Sequence, residues 1–175
     1  AVDLAIDRGD DELLAIIRSQ YDRTLGRRTY ITGGMGSHFQ DEAYGLDYEL
    51  PADRAYSETC AGVGSFMLAW RLLLATGEAQ YGDIMERVLY NVIATSPAPD
   101  GKAFFYENPL ESDGAVQRRS GFTCACCPPN VAKLYAGLGS YFYSYGENVV
   151  YVNQYAAGAA DIPLGDQRVR LSQET

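Results

Sequence analysis

The first regular pattern along the chain is a run of apolar residues near its amino end. Between positions 13 and 25 the apolar side chains recur every three or four residues, which is the spacing of one helix face. Asp10 and Asp11 precede the run, where the positive end of a helix dipole favours acidic residues. The pattern predicts an amphipathic helix whose inner face carries Leu13, Leu14, Ile16, Ile17, Tyr21 and Leu25.

Two further apolar patterns predict a pair of helices. The first covers about 61–76 and is followed by Gly77, which suits a helix C-terminus. The second covers about 81–95 and ends before Pro97. Because only a few residues separate the two, an antiparallel helical hairpin is expected. The stripe of the first of these helices consists of Val63, Phe66, Met67, Trp70, Leu73 and Leu74.

The remaining segments have other patterns. Residues 28–56 lose the helical period and are rich in glycine, carboxylates and aromatics, which indicates a long structured loop. The segment 104–106 predicts a short strand, and a fourth helix is predicted from 129 to 141. The segments 149–152 and 168–172 have the apolar clusters or alternation typical of strands.

These patterns predict a mainly α fold of helical hairpins that ends in the beginning of a β-region. We expect a helical domain over 1–145 and a strand-rich domain over 146–175. The chain starts at Ala1 with no recognisable leader, and no partner strand follows 168–172 before the last residue. We therefore interpret the sequence as an internal fragment of a longer chain.

Composition narrows the class of partner. Hydrophobic residues make up 47% of the 175 residues and charged residues 21%, so a packed core is expected. Fourteen Lys and Arg against 23 Asp and Glu give a net charge of −9. So acidic a surface repels phosphate backbones, which argues against nucleic acid as a partner. The longest apolar runs, such as 66–70, fall short of the roughly 18 residues of a membrane span. No membrane partner is expected.

Four cysteines offer the most distinctive chemistry. Cys124, Cys126 and Cys127 lie within four residues, and Cys60 is far away in sequence. Adjacent cysteines cannot form a disulfide without strain, and a chain of this size needs no disulfide staples. One interpretation is that all four are small buried apolar residues, which is the commonest state of free cysteine. The other is that they form a reactive or metal-binding group.

The prolines after the cysteine pair favour the second interpretation. Pro128 biases Cys127 towards extended backbone, and Pro129 suits the first residue of a helix. The adjacent thiols would then lie just ahead of a helix N-terminus, whose partial positive charge favours the thiolate. Because the thiolate is the form that attacks carbon or binds metal, reactive thiols are expected here.

Glu58 and Cys60 place a carboxylate and a thiol just before the second predicted helix. On a helix, residues two apart point about 200° away from each other, but in an extended or pre-helical turn both can face one centre. A carboxylate with three thiolates would give zinc a closed tetrahedral site, and soft thiolates favour zinc over calcium or magnesium. The spacing matches no zinc finger.

Three other residue types give weaker signals. His38 is the single histidine, so any Cys-His or Ser-His machinery would depend on it, and it is expected to satisfy local hydrogen bonds. The glycine run 33–36 lacks the Lys-Ser/Thr of a phosphate loop and is interpreted as a tight turn that brings backbone close to another segment. Most of the fourteen tyrosines are expected to pack, while those in loops could contact a sugar.

Five motifs in order now identify a resemblance. They are Tyr30-Ile31-Thr32-Gly33-Gly34-Met35-Gly36-Ser37, Asp41-Glu42-Ala43-Tyr44, Tyr48-Glu49-Leu50-Pro51, Ser57-Glu58-Thr59-Cys60-Ala61 and Cys124-Ala125-Cys126-Cys127-Pro128-Pro129-Asn130. Together they resemble glycoside hydrolase family 127, the β-L-arabinofuranosidase family, from about residue 28 to 150. The ordered series is specific, although no single motif would be.

The resemblance implies a fold and an activity. Family members have an (α/α)6 barrel followed by β-sandwich domains, so this chain would be part of the barrel with the start of a sandwich. The implied reaction removes terminal β-L-arabinofuranosyl units with retention. Cys126 would be the nucleophile, Glu42 the acid/base, and Tyr106 a pocket tyrosine that binds substrate. The implied Zn²⁺ ligands are Glu58, Cys60, Cys126 and Cys127.

Two departures from the family pattern concern the pocket. Asp41 stands where the family has a glycine before the acid/base residue, so Glu42 has a neighbouring carboxylate. The histidines that the family pocket takes from the N-terminal half of its barrel lie outside this chain.

Partners and alternatives follow from the same resemblance. The expected partner is an arabinofuranoside-type carbohydrate substrate, and a homodimer formed through regions outside the fragment is compatible with it. Unpaired thiols suit a reducing cytoplasm, which is the predicted location. Two alternatives stay open: a zinc-stabilised non-catalytic helical module, and a hydrolase of a different glycoside.

Overall fold

The computed structural model describes residues 1–174, and helices make up most of the part before Tyr143. They are α1 (Val2–Arg8), α2 (Asp11–Arg27), α3 (Thr59–Thr76), α4 (Ala79–Val88) and α5 (Cys127–Ala136), with short 3₁₀ turns at Gln40–Glu42 and Leu138–Tyr141. Four antiparallel strands follow. The prediction of a mainly α chain with a β-region at its end is confirmed.

The first predicted helix is confirmed as α2. The side chain of Asp10 accepts a hydrogen bond from the Leu13 N–H at 2.9 Å, so this aspartate is the N-cap. Of the predicted inner face, Tyr21 is buried, but Ile16 is exposed. The preceding helix α1 was not predicted from the sequence, because its seven residues are too short for a clear periodic pattern.

The predicted helical hairpin is confirmed as α3 and α4. Gly77 ends α3 in the left-handed conformation at φ 71°, which glycine adopts without steric cost. A Cβ at Gly62, near the start of α3, would lie 3.3 Å from the side chain of Val88 at the end of α4, so the start of the first helix packs closely on the end of the second, as in an antiparallel hairpin. The second helix is shorter than predicted: α4 ends at Val88, and a π-helical turn follows over Leu89–Ile93.

The core of the helical part forms between these two helices. Phe66 and Leu72 of α3 and Tyr81, Met85 and Val88 of α4 are completely buried. Within residues 1–174, α3 is the one helix whose length and composition would allow a membrane span, and 44% of it is buried in the protein. Such a core helix gives only weak support for a membrane span, and the expectation of no membrane partner stays a prediction.

The fourth helix begins earlier than predicted. α5 starts at Cys127 rather than Pro129, so Cys127 is helical and the prediction of an extended residue is wrong. The Asn130 N–H bonds the Cys126 carbonyl oxygen at 3.2 Å and closes the first turn. Both prolines fit because the first N–H groups of a helix have no intrahelical acceptor.

The predicted strand at 104–106 is also wrong. Phe104 makes isolated bridges with Pro97 and Arg119, and no longer ladder forms around it. Pro97 has no N–H to donate, so it cannot extend a ladder along this edge.

The β-region consists of two antiparallel pairs. β1 (Tyr143–Tyr145) pairs with β2 (Val150–Val152), and β3 (Gly158–Leu164) pairs with β4 (Gln167–Gln173) over seven residue pairs. The terminal strand therefore does have a partner. That partner precedes it in sequence, so the lack of a following strand does not leave the terminal strand unpaired.

The chain divides into two compact units. One contains residues 1–132, and the other begins at Lys133. The assignment of 1–145 to a barrel domain and of 146–175 to a sandwich domain stays a prediction.

The glycine-rich turn at 33–36 packs against the segment that leads into α3. The Ser57 N–H donates to the Gly36 carbonyl oxygen at 2.8 Å. A Cβ at Gly34 would lie only 1.9 Å from the Ser57 Oγ, which is fully buried and has no hydrogen-bond partner among the described residues. Gly34 is therefore required for space, and the turn fixes the backbone directly before Glu58.

Substitution Gly34→Ala should lower the thermal midpoint of the full-length protein, because overpacking of this kind costs about 1–3 kcal/mol. Ser57→Ala removes the buried unpartnered hydroxyl and should be neutral or stabilising. The double variant should regain most of the loss, since the atom that collides with the new methyl group is gone. Differential scanning calorimetry of the four proteins measures this coupling. Gly26→Ala, with no neighbour within 4 Å of its Cβ, is the control. Equal losses in single and double variants would contradict the contact.

Candidate metal centre and active site

Two helix N-termini bring four ligand-type side chains together. Glu58 directly precedes α3 and Cys60 is its second residue, while Cys126 directly precedes α5 and Cys127 is its first. The carboxylate and sulfur atoms of these four residues all lie within 4.8 Å of one another. The four residues that the resemblance implied as ligands thus lie in one cluster, although the two local segments are 66 or more residues apart along the chain.

The distances inside the cluster fit a tetrahedral metal ion. The sulfurs of Cys126 and Cys127 are 3.8 Å apart, and the Glu58 Oε1 lies 3.5 and 3.6 Å from them. Ligands at the usual zinc distances in a tetrahedron have S···S edges of about 3.8 Å and O···S edges of about 3.6 Å. The donor set and its spacing thus suit Zn²⁺.

Burial opposes ionisation of two of the clustered thiols in the metal-free protein. Burial raises the pKa of Cys60 to about 12, and it also raises the pKa of the fully buried Cys127. For Cys127, burial therefore acts against the thiolate that the helix N-terminus was expected to favour. A bound metal ion would reverse the preference for the neutral thiol, since coordination deprotonates a thiol.

Tyr106 joins the cysteine cluster to Glu42. The Cys126 Sγ lies 3.1 Å from the Tyr106 hydroxyl, and this hydroxyl donates to the Glu42 Oε1 at 3.3 Å. The Tyr56 hydroxyl donates to the same carboxylate oxygen at 2.8 Å. The structure thus brings together all three residues for which the sequence predicted a catalytic or substrate-binding role.

A series of ring contacts holds the side chains of Tyr56 and Tyr106 in place. The ring of Tyr56 contacts the rings of Phe39 and Tyr106 at centroid distances of 5.5 and 6.2 Å, and Tyr106 contacts Phe122 at 5.4 Å. Burial and the Glu42 carboxylate raise the pKa of Tyr56, so this hydroxyl stays protonated and can donate. Tyr56 and Phe122 were not predicted as site residues, although Tyr56 directly precedes the motif that holds Glu58.

The loop that carries Glu42 is held by its own polar contacts. The backbones of His38 and Ala43 bond each other in both directions, and the His38 Nε2 lies 2.6 Å from the Glu49 Oε1. The other oxygen of Glu49 accepts from the Leu46 N–H at 2.7 Å. His38 therefore makes the local hydrogen bonds expected of it and belongs to the loop scaffold.

The carboxylate of Asp47 fixes a later part of the same loop to the end of α2. Asp47 accepts hydrogen bonds from Arg23, Arg27 and Arg28 near the end of α2 at 2.9 to 3.0 Å. These guanidinium groups hold the pKa of Asp47 well below its usual range. The loop is thus tied to α2 by a charged contact that needs an ionised carboxylate.

The backbone at Asp41 and Glu42 is strained. Asp41 and Glu42 have φ values of 59° and 50°, in the left-handed region that favours glycine. Such residues cost about 1–3 kcal/mol each and persist where the surroundings enforce them. The glycine that the family pattern has at position 41 would meet this requirement without steric cost, and Asp is among the residues that tolerate it best.

Asn130 and Cys124 complete the description of the cysteine motif. The Asn130 side-chain amide donates to the Cys60 Sγ at 3.1 Å, a contact that was not predicted. Cys124 is exposed and has a free thiol. It lies outside the four-residue cluster.

Comparison with known proteins identifies relatives along the chain. A family model described as the catalytic domain of beta-L-arabinofuranosidases of family GH127 matches residues 1–140. The non-reducing end beta-L-arabinofuranosidase of Bifidobacterium longum subsp. longum is 34% identical over 170 residues, which are 90% of this chain and 26% of that protein.

Solved structures give the same result for the fold. A GH127 beta-arabinofuranosidase is 41% identical with a TM-score of 0.96, over 99% of this chain and 27% of that one. A GH127 beta-L-arabinofuranosidase from Geobacillus stearothermophilus T6 is 36% identical with a TM-score of 0.94, over 99% of this chain and 29% of that one. The chain therefore spans between a quarter and a third of the length of these relatives.

Acid should loosen the loop that carries Glu42. The hydrogen bond from His38 is the main cause that lowers the pKa of Glu49, so the contact is present above the ordinary carboxyl pKa of about 4.3 and is lost as the pH falls through the lowered value. Amide hydrogen exchange, corrected for intrinsic rates, should show falling protection of residues 38–49 over this range. Glu49→Gln should reduce protection at neutral pH and flatten the pH dependence, whereas Glu12→Gln on α2 should change neither. An unaltered profile for Glu49→Gln would contradict the assignment.

A bound metal ion should protect Cys60 but not Cys124. In the metal-loaded full-length protein at alkaline pH, iodoacetamide should label the exposed Cys124 and leave the half-buried Cys60 unlabelled. After treatment with a chelator at the same pH, Cys60 should also react. Mass spectrometry of the labelled peptides gives the result for each cysteine. Cys126 is left out of the comparison, because a metal-bound thiolate can itself be alkylated. Equal labelling of Cys60 before and after chelation would count against the metal centre.

Proposed function

This chain belongs to glycoside hydrolase family 127, and from that membership we propose that the full-length protein is a retaining glycosidase that removes terminal β-L-arabinofuranosyl residues. One observation supports this most directly. Cys126 and Glu42 both contact the Tyr106 hydroxyl, and Cys126 belongs to the four-ligand cluster. A nucleophile and a proton donor would thus face one reacting centre.

Cys126 is the proposed nucleophile of the first step. Its sulfur attacks the anomeric carbon, so that a C–S bond forms while the glycosidic C–O bond breaks and its electron pair stays on the leaving oxygen. Protonated Glu42 gives its proton to this oxygen, and the aglycone departs as an alcohol. The product of this step is a thioglycosyl enzyme.

In the second step, Glu42 acts as a base. Its carboxylate takes a proton from a water molecule whose oxygen attacks the anomeric carbon, and the C–S bond breaks with its electron pair returning to sulfur. Two successive inversions give overall retention, as in retaining enzymes that use a carboxylate nucleophile.

Glu58, Cys60, Cys126 and Cys127 are the proposed zinc ligands. When bound, zinc would keep Cys126 deprotonated at neutral pH and stabilise the charge on its sulfur when the C–S bond breaks. Three thiolates and a carboxylate bring four negative charges against the two positive charges of the ion. Such an electron-rich ligand set favours a nucleophilic sulfur.

Tyr106 is proposed to bind the substrate between the two catalytic residues. Its hydroxyl group contacts Cys126 and Glu42 in the absence of substrate, so a sugar hydroxyl could take over either contact. Its pKa is raised, chiefly by the hydrogen bond with Cys126 and by burial, which keeps the hydroxyl a donor.

The domain assignment, the cellular location and the oligomeric state are also proposals. We assign α1 to α5 to part of an (α/α)6 barrel over 1–145 and the strands to the start of a β-sandwich over 146–175. The free thiols favour a reducing cytoplasm. A homodimer would form through regions outside this chain.

Two other functions would use the same cluster. In a non-catalytic zinc-stabilised module the four ligands would serve only to join the start of α3 to the start of α5. In a hydrolase of a different glycoside the catalytic residues would be unchanged, and contacts outside this chain would select the sugar.

Cys126→Ser and Cys124→Ser in the full-length protein form a matched pair that separates these functions. On a panel of nitrophenyl glycosides, the wild type should be most active on the β-L-arabinofuranoside. Cys126→Ser should abolish turnover, because serine is a far weaker nucleophile, while Cys124→Ser should retain it. Glu42→Gln should lose about 10²–10⁴-fold in kcat/KM on alkyl arabinofuranosides and much less on nitrophenyl substrates, whose leaving group needs little protonation. The kcat should fall on both kinds of substrate, because the base of the second step is lost.

Each contrary outcome selects an alternative. No turnover of any glycoside by the metal-loaded wild type would favour the non-catalytic module. Preference for another sugar would favour a different hydrolase. Near-normal activity of Cys126→Ser would reject the nucleophile.

A further inference from the structure

Asn130 links the two halves of the cysteine cluster. Its side-chain Nδ2 donates a hydrogen bond to the Cys60 Sγ at 3.1 Å, across 70 residues of sequence. Its backbone N–H bonds the Cys126 carbonyl oxygen at 3.2 Å in the first turn of α5. The helical turn that presents Cys126 and Cys127 thus also supplies a donor to the sulfur on α3.

The chemistry of this contact suits a thiolate ligand. An amide N–H is a neutral, directional donor, so it can stabilise a negatively charged sulfur without adding a positive charge to the site. Both Asn130 and Cys60 are half-buried, which strengthens the interaction relative to one in water. Cys126 contacts the Tyr106 hydroxyl instead. The two sulfurs therefore have different partners. The Cys60 sulfur is bonded by the Asn130 amide of α5, and the Cys126 sulfur contacts the Tyr106 hydroxyl.

The difference between the two sulfurs suggests different roles. A sulfur held by an amide donor is oriented and less electron-rich, which suits a permanent ligand. Groups that hydrogen-bond metal ligands commonly change metal affinity by about 10–100-fold when they are removed. We propose that Asn130 is a positioning residue that fixes the Cys60 thiolate as a metal ligand; this inference rests on the metal centre of the proposed function.

The test uses Co²⁺ as a spectroscopic probe in the full-length protein. Asn130→Leu keeps nearly the same side-chain shape but has no donor, and Asn130→Asp keeps the shape but turns oxygen atoms towards the sulfur. Asn91→Ala, an exposed asparagine whose amide bonds the Arg87 carbonyl oxygen, is the control. Competition with a chelator gives the Co²⁺ affinity, and the sulfur-to-cobalt charge-transfer band reports the electronic state of the thiolates.

The expected result is a change in both readouts. Asn130→Leu should lower Co²⁺ affinity by about tenfold or more and move the charge-transfer band to lower energy, since loss of the donor raises the energy of the sulfur electrons. Asn130→Asp should lose at least as much affinity. Asn91→Ala should match the wild type, and thermal midpoints of the metal-free variants should stay close to the wild-type value.

Three outcomes would overturn the inference. Wild-type affinity and band position in both Asn130 variants would reject a role at the metal, although the metal centre would stand. A lowered midpoint of the metal-free variants with an unmoved band would show that Asn130 only ties α5 to α3. A wild type that binds no stoichiometric Co²⁺ would remove the metal centre itself and this inference with it.

Discussion

The candidate site depends on the meeting of two helix N-termini. Glu58 and Cys60 open α3, Cys126 and Cys127 open α5, and their ligand atoms lie within 4.8 Å of one another. Four acidic or ionisable groups held this closely would repel one another as anions. The thiols of Cys60 and Cys127 can remain neutral without a metal because burial raises their pKa. A bound cation would take the place of these protons and stabilise the thiolates.

Sequence patterns predicted those parts of the molecule in which local chemistry decides the structure. The Asp10 cap and the Gly77 terminus are local signals, and each matches the structure. The predicted stripe of α3 matches less well, because Leu74 within it is exposed and Leu72 outside it is completely buried. The four metal ligands were predicted from the resemblance of the motifs to the family. The spacing of the cysteines alone was equally compatible with four buried apolar residues that bind no metal. The start of α5 was mispredicted because a proline disfavours but does not forbid helical backbone in the residue before it.

Other features could not be predicted because they depend on long-range contacts. Tyr56 and Asn130 act on residues far away in sequence, so nothing in their neighbourhoods indicates the Glu42 and Cys60 partners. The partner of the terminal strand lies before it, which alternation alone does not reveal. The glycine turn was correctly interpreted as a close approach of backbone, but only the fold identifies Ser57 as the neighbour.

The left-handed backbone at Asp41 and Glu42 limits how this site can change during evolution. The direction of the Glu42 carboxylate is set by main-chain dihedral angles as well as by its rotamer. Replacing neighbouring side chains can reshape the surroundings of Glu42, but it cannot easily redirect the carboxylate itself. A lineage in which this carboxylate pointed elsewhere would have to rebuild the loop, through insertion or deletion, rather than accumulate point substitutions.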